Sequence, residues 1–330
     1  MPFAIIVHGG AGTIAGERLE PGQEGCREAA LIGWRVLQAG GTALDAVEAA
    51  VRALEDNPNF NAGTGSTLTA AGTVEMDAGM MEGHTLNVGA VASVECIKNP
   101  ISLARKVLES PHVLLVGRGA QKFATEQGIA LCAAEELITE RQYNNWKAAQ
   151  DAERHAEQEQ DEQDEPRYVR HVIGSVSVSQ AAKGTKAGSR EAESEEKHGT
   201  VGAAALDMYG NLAAATSTGG IRNKYPGRVG DSPLVGCGFY ADENAAISCT
   251  GQGEDFIRLL IAKRAADFVA RGDTAQAAAE AAIAVLGARA EGKGGLILVD
   301  RLGRVGYAWN SDHLVRAYMV SGMDEPVAGV

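Results

Sequence analysis

The most reactive arrangement in the chain is a threonine at the end of a polar stretch. His198-Gly199-Thr200-Val201 joins a segment of charged and small polar residues to a run of small apolar ones. If the Gly199–Thr200 bond opened, Thr200 would carry a hydroxyl together with a free α-amine, whose ordinary pKa is about 7.7–8.0. Such an amine serves as general base for the hydroxyl beside it, so one residue supplies nucleophile and base without a His-Asp relay. Gly199 on the acyl side leaves room for the geometry of an N→O acyl shift. Taken alone, the tripeptide is better described as a β-branched residue that opens a strand.

The residues downstream favour the chemical reading. Thr218 ends Ala-Thr-Ser-Thr-Gly-Gly (215–220), where its hydroxyl can bond to a neighbouring threonine. In Gly-Arg-Val-Gly-Asp-Ser-Pro (227–233), Arg228 and Asp231 flank Val229 and Gly230 and offer a cation for a carboxylate and an anion for an ammonium. Arg suits a carboxylate because its planar fork reaches both oxygens. In isolation the same two residues fit a surface pair in a loop equally well. Thr250-Gly251-Gln252-Gly253 stands between an apolar run and a helical pattern. It offers hydroxyl and backbone donors for an oxyanion, or simply a tight helix entry.

Other motifs lead nowhere. Gly287 to Lys293 fits GxxxxGK, but Gly294 stands at the Ser/Thr position and the order is helix, loop, strand, so it reads as a turn. His8-Gly9-Gly10 has the look of an oxyanion turn, yet no GxSxG accompanies it, and its glycines read as a sharp strand end beside another backbone. Cys249 reads as a core thiol. The seven histidines are scattered without HExxH and read as structural or solvated. Five widely spaced cysteines without CxxC argue against a disulfide framework and for a reducing cytoplasm.

The chain has 330 residues and a formal charge of −13, which excludes a basic stripe for nucleic acid. No apolar run approaches the ~20 residues needed to span a bilayer, and MPFAIIVHGG lacks the charged start of a signal peptide. The expectation is a cytoplasmic protein with neither a nucleic-acid nor a membrane partner.

The elements that must position these residues follow from patterning. Residues 4–7 read as a strand, 24–38 as a helix stopped by Gly40-Gly41, and Thr42 as the N-cap of a second helix with Asp45 at the capping-box position. Pro58 ends that helix, and 57–65 is turn chemistry. A helix over 101–108 and a buried strand over 113–116 follow. Residues 151–197 are acidic and polar, with too little apolar surface to offset ordering entropy, and read as a mobile linker; 151–165 also fits a charge-laced solvated helix. Beyond Thr200, 201–206 and 212–218 form a hairpin, 245–249 a strand, 254–271 and 274–291 helices, and 295–300 with 305–309 a second hairpin. This order suits two antiparallel sheets with helices on both outer faces.

Ordered along the chain, His8-Gly9-Gly10-Ala11-Gly12, Asn61-Ala62-Gly63, Met76-Asp77-Ala78, His198 to Gly202, Thr216 to Gly220, Gly227 to Pro233, and Thr250-Gly251 with Gly253-Glu254 resemble the isoaspartyl peptidase/plant-type asparaginase family of N-terminal-nucleophile hydrolases. The resemblance covers nearly the whole chain. It implies an α+β fold, a four-layer αββα sandwich, made as one precursor and cleaved between Gly199 and Thr200. The pieces, an α subunit 1–199 carrying the linker and a β subunit 200–330, would stay intertwined and pair as a dimer of heterodimers. Thr200 would be the nucleophile, Thr218 its hydroxyl neighbour and Asn61 its orienting residue. Thr250 and the Gly251 N–H would form the oxyanion hole. Arg228, Asp231 and Gly253, with Val229, Gly230 and Gln252 beside them, would hold the substrate's aspartyl end. A structural sodium ion would sit on the carbonyls of Leu54, Glu55, Asn57, Phe60, Ala62 and Thr64, and the chemistry itself would need no cofactor. The implied activity is hydrolysis of β-aspartyl dipeptides and asparagine. A glycosylasparaginase-like hydrolase and an uncleaved, non-catalytic scaffold are the alternatives.

Overall fold

Short runs of small and β-branched residues become the strands of a mixed α and β structure. The computed structural model describes residues 2–163 and 199–330. Its elements in chain order are β1 (Ala4–Gly12), α1 (Gly16–Gln38), α2 (Ala43–Asp56), β2 (Met76–Glu82), β3 (Val88–Val94), α3 (Pro100–Leu108), β4 (Leu114–Val116), α4 (Gly117–Glu126) and α5 (Glu140–Gln163). After the gap come β5 (Val201–Leu206), β6 (Leu212–Thr218), β7 (Phe239–Ala241), β8 (Ala245–Gly251), α6 (Gly253–Leu259), α7 (Ile261–Ala270), α8 (Ala275–Arg289), β9 (Gly294–Asp300), β10 (Val305–Trp309), β11 (His313–Val320) and β12 (Val327–Gly329).

The strands form an eight-stranded sheet in the order β12-β11-β1-β5-β6-β2-β3-β4 and a four-stranded sheet in the order β10-β9-β8-β7. Helices α1 and α2 pack on β1, β5, β6 and β11 of the larger sheet, and α7 and α8 on the smaller one, while β1, β5 and β6 meet β8 and β9. Strands β5 and β6, covered on both faces, are buried at every residue, and so their sequences are continuous small apolar runs rather than alternating ones. Alternation still sorts their side chains. Val201, Ala203 and Ala205 join the core beneath α1 and α2, whereas Ala204 and Leu206 join Ile6, Ala246 and Ile297 between the sheets. Gly79 on β2 lets the sheets close, because a Cβ there would lie 2.2 Å from the Phe239 ring.

The expected hairpins and the Thr42 cap form. Thr42 Oγ1 accepts the Asp45 N–H at 3.1 Å, and Asp45 answers through the Thr42 N–H at 3.3 Å. Two readings need correction, and a third resolves between its alternatives. The strand at 113–116 is not buried: β4 is the sheet's edge, and Leu114 and Val116 are 41% and 56% exposed. The helix expected over 254–271 is broken at Leu260, whose φ of 53° ends α6 and begins α7. Residues 151–163 of the expected linker continue α5, consistent with a charge-laced helix; the rest of that linker, 164–197, lies outside the described residues. Among the described residues no helix is long and apolar enough to cross a membrane.

Candidate active site

Thr200 stands one residue before β5, 7% exposed. The β5–β6 register pairs Val201 with Ser217, which sets Thr200 beside Thr218 at the head of the hairpin. Thr200 Oγ1 donates to Thr218 Oγ1 at 3.0 Å, and Thr218 Oγ1 also accepts the Gly220 N–H at 3.0 Å. Thr218 thus receives two bonds and keeps its own hydrogen to give.

Asn61 braces this corner from the loop after α2. Its N–H donates to the Gly199 carbonyl at 3.3 Å, on the acyl side of the Gly199–Thr200 bond, and its carbonyl accepts the Gly219 N–H at 2.9 Å. The Asn61 side chain donates to the Gly220 carbonyl at 2.6 Å and accepts the Thr67 N–H at 2.8 Å. Asn61 therefore reaches Thr200 through its backbone and the Gly219-Gly220 turn, with its amide directed at that turn.

Arg228, Gly230, Asp231 and Gly251 join Thr200 and Thr218 around a narrow recess. Arg228 gives its Nε and Nη2 to the two oxygens of Glu254, at 2.9 and 2.8 Å. One edge of the fork is thereby taken, and the end-on edge, carrying Nη1, remains for another carboxylate. Glycines let the guanidinium settle here. A Cβ on Gly230 would lie 2.8 Å from Nη1, and one on Gly253 would lie 3.0 Å from both Nη2 and Asp231 Oδ1. Val229, between Arg228 and Gly230, is half-buried. Asp231 is 3% exposed, and its Oδ2 has no hydrogen-bond partner among the described residues. Burial pushes its carboxyl up to about 7, against the pull of Arg228 and with a further push from Glu254 and Asp77.

Thr250 and Gly251 end β8 on the opposing sheet. Thr250 Oγ1 is fully buried and accepts the Ala11 N–H at 3.3 Å, leaving its hydrogen to donate. Gly251 has φ 154°, and a Cβ there would lie 2.6 Å from the Lys293 carbonyl. Gln252 caps α6 and its amide donates to Glu254 Oε2 at 3.2 Å.

The loop after α2 presents backbone oxygens. The carbonyls of Leu54, Glu55 and Asn57 accept the N–H groups of Asn57, Thr64 and Phe60. Those of Phe60, Ala62 and Thr64 accept none of the loop's backbone N–H groups, although Phe60 and Ala62 are buried. An oxygen-only set that includes buried carbonyls without a backbone partner fits a hard cation such as sodium. No cluster of His, Cys, Asp or Glu that could hold a metal occurs among the described residues.

Over residues 1–328 the sequence matches the family model described as asparaginase. The chain belongs to the asparaginase family. It is 48% identical over 331 residues to the plant-type L-asparaginase of Pyrococcus horikoshii, and the alignment covers 99% of each chain. It is 49% identical, at the same coverage, to the plant-type L-asparaginase of Thermococcus kodakarensis. To the isoaspartyl peptidase/L-asparaginase of Rattus norvegicus it is 44% identical, over 97% of this chain and 87% of the relative.

In this asparaginase-family chain, sequence reasoning gave two groups no role. Glu254, quoted only as part of the Gly253-Glu254 motif, is the partner of Arg228. Lys224, Glu75 and Asp77 form a buried charged cluster beneath the recess. Lys224 Nζ donates to the Glu75 carbonyl at 2.7 Å, and a Cβ on Gly220 would lie 2.8 Å from the Lys224 stem. Asp77 stands opposite Thr218 in the β2–β6 register. Burial raises its carboxyl above the usual range, against the pull of Lys224.

Proposed function

We propose that this chain is an autoprocessing amidohydrolase that cleaves β-aspartyl dipeptides and asparagine through Thr200. The observation that carries the reading is the Thr200–Thr218 hydroxyl pair, at 3.0 Å and directly after Gly199, in a recess shared with Arg228 and Asp231. In the precursor, Thr200 Oγ attacks the Gly199 carbonyl carbon, the amide becomes an ester, and water hydrolyses that ester. The products are an α subunit 1–199 and a β subunit 200–330, held as one αββα sandwich and paired as a dimer of heterodimers in the cytoplasm.

In turnover the free Thr200 amine takes the hydroxyl proton as Oγ attacks the side-chain carbonyl of the substrate. The oxyanion meets the Thr250 hydroxyl and the Gly251 N–H. The proton passes to the leaving amine or ammonia, and water then hydrolyses the β-aspartyl ester. The end-on edge of Arg228 binds the substrate α-carboxylate and Asp231 its ammonium, with Gly253, Gly230, Val229 and Gln252 shaping that end. The carbonyls of Leu54, Glu55, Asn57, Phe60, Ala62 and Thr64 would hold a sodium ion, which would stiffen the loop that carries Asn61. An α-aspartyl bond consumes the carboxylate that Arg228 would bind, so charge-assisted bonds of ~1.5–3 kcal/mol each are lost.

Denaturing mass spectrometry of wild type and Thr200→Ala, with assays on β-Asp-Leu and α-Asp-Leu, tests the reading. Wild type should give pieces of 199 and 131 residues and cleave only the β isomer, while Thr200→Ala stays whole. A Thr200→Ala chain that splits at this bond, or comparable kcat/KM for the two isomers, overturns it.

A further inference from the structure

One layer below the three threonines runs a second row of polar side chains with no part in the chemistry above. Residues two apart on a strand share a face, so Gly202, Thr216 and Ser248 follow Thr200, Thr218 and Thr250 into the space between the sheets. His8 on β1 stands opposite Gly202 in register, and Gly202 opposite Thr216. His8 Nε2 is 2.9 Å from Ser248 Oγ, Ser248 Oγ is 2.7 Å from Thr216 Oγ1, and Thr216 donates to the Gly238 carbonyl at 3.2 Å.

All three side chains are fully buried. Ser248 Oγ stands between His8 Nε2 and Thr216 Oγ1, and the Thr216 hydroxyl also reaches the Gly238 carbonyl, so the row is continuous whichever way its hydrogens run. The chain passes over Gly202, where a Cβ would fall 1.9 Å from Ser248 Oγ and 2.6 Å from His8 Nε2. Burial holds the His8 ring far below its usual pKa, at about 3, with the neighbouring Thr200 backbone pulling weakly the other way. The chain therefore keeps one charge state throughout the working pH range.

We propose that His8, Ser248 and Thr216 are positioning residues whose hydrogen-bonded chain sets the distance between the strands carrying Thr200 and Thr218 and the strand carrying Thr250 and Gly251. Small apolar side chains between the sheets tolerate sliding, whereas a run of hydrogen bonds has a narrow optimum length. The assignment rests on the proposed roles of Thr200, Thr250 and Gly251. A displacement of ~1 Å between nucleophile and oxyanion donors can lower turnover ~100-fold.

The test compares Thr216→Val, which keeps shape and removes the hydroxyl, and Ser248→Ala with Thr216→Ser, which keeps the hydroxyl. Crystal structures give the Thr200 Oγ1 to Gly251 N separation, and steady-state assays give kcat and KM for asparagine. In the first two variants the separation should shift by about half an ångström and kcat fall about tenfold or more, with KM within about twofold. Thr216→Ser should match wild type. An unchanged separation with kcat within about twofold overturns the proposal whatever happens to Tm, and so does an equal loss in Thr216→Ser. Wild type inert on asparagine would refute the functional reading instead, while the crystallographic separation would still decide this one.

Discussion

Asp231 gives the candidate site a pH response of its own. Its carboxyl, lifted to about 7 chiefly by burial, must be ionised to receive a substrate ammonium. The ionised fraction is then about one tenth at pH 6 and about nine tenths at pH 8. Because kcat/KM reports groups of the free enzyme, the value for asparagine should rise about tenfold per pH unit below 7 and level off above it. In the proposed mechanism the free Thr200 amine, with an ordinary α-amino pKa of about 7.7–8.0, also loses its proton in this region, so a second substrate is needed to separate the two. Succinamate, which is asparagine without its α-amine, needs the neutral Thr200 amine but not Asp231. The ratio of kcat/KM for asparagine over succinamate should therefore carry the Asp231 titration alone, and Asp231→Asn should flatten it. Stability gives an independent reading. A carboxyl raised in the fold holds a proton that the unfolded chain has released, so its burden on stability is absent below about pH 4 and grows as pH rises through 7. Asp231→Asn should be more stable than wild type at pH 8, by up to the order of 4 kcal/mol, and no more stable at pH 3.5. A ratio independent of pH between 5 and 8 would refute the reasoning.

Further outcomes follow from the same geometry. Glu254→Gln removes the carboxylate that fixes one edge of Arg228, and KM for asparagine should rise about tenfold, the size expected of one charge-assisted bond, with Tm little changed. Gly219→Ala places a methyl 2.4 Å from Asn61 Oδ1 and 2.6 Å from Ser66 Cβ; it should destabilise by ~1–3 kcal/mol in urea and slow cleavage at Gly199. Exchange of sodium for choline in the buffer should lower Tm in a concentration-dependent way if the Phe60, Ala62 and Thr64 carbonyls hold the ion, and an unchanged Tm argues against the site.

Local chemistry made much of the molecule legible from the sequence. The junction at Thr200 is an abrupt change of composition, and the hairpin 201–218 is closed by a short turn whose length fixes its register. Together they place Thr200 beside Thr218 without knowledge of the remaining fold. The Thr42 capping box and the turn at 57–65 are equally local. Tertiary structure decided what depends on distant segments. β11 lies beside β1 although some 300 residues separate them, and β2 brings Asp77 opposite Thr218. Neither strand was read from the sequence; β2 is covered on both faces and lacks a period of two. The exposed Leu114 and Val116 misled for the converse reason: apolar composition marks a strand but not whether another layer covers it. The Asn61 side chain, assigned by resemblance to orient Thr200, donates to the Gly219-Gly220 turn. Arg228 was assigned a whole fork, and Glu254, 26 residues on, takes one edge of it. Side-chain identity names the charges available in a site. Which of them neutralise one another is set by the packing of β8 and α6 against the 227–233 loop, and so is the part of the arginine left to meet a substrate.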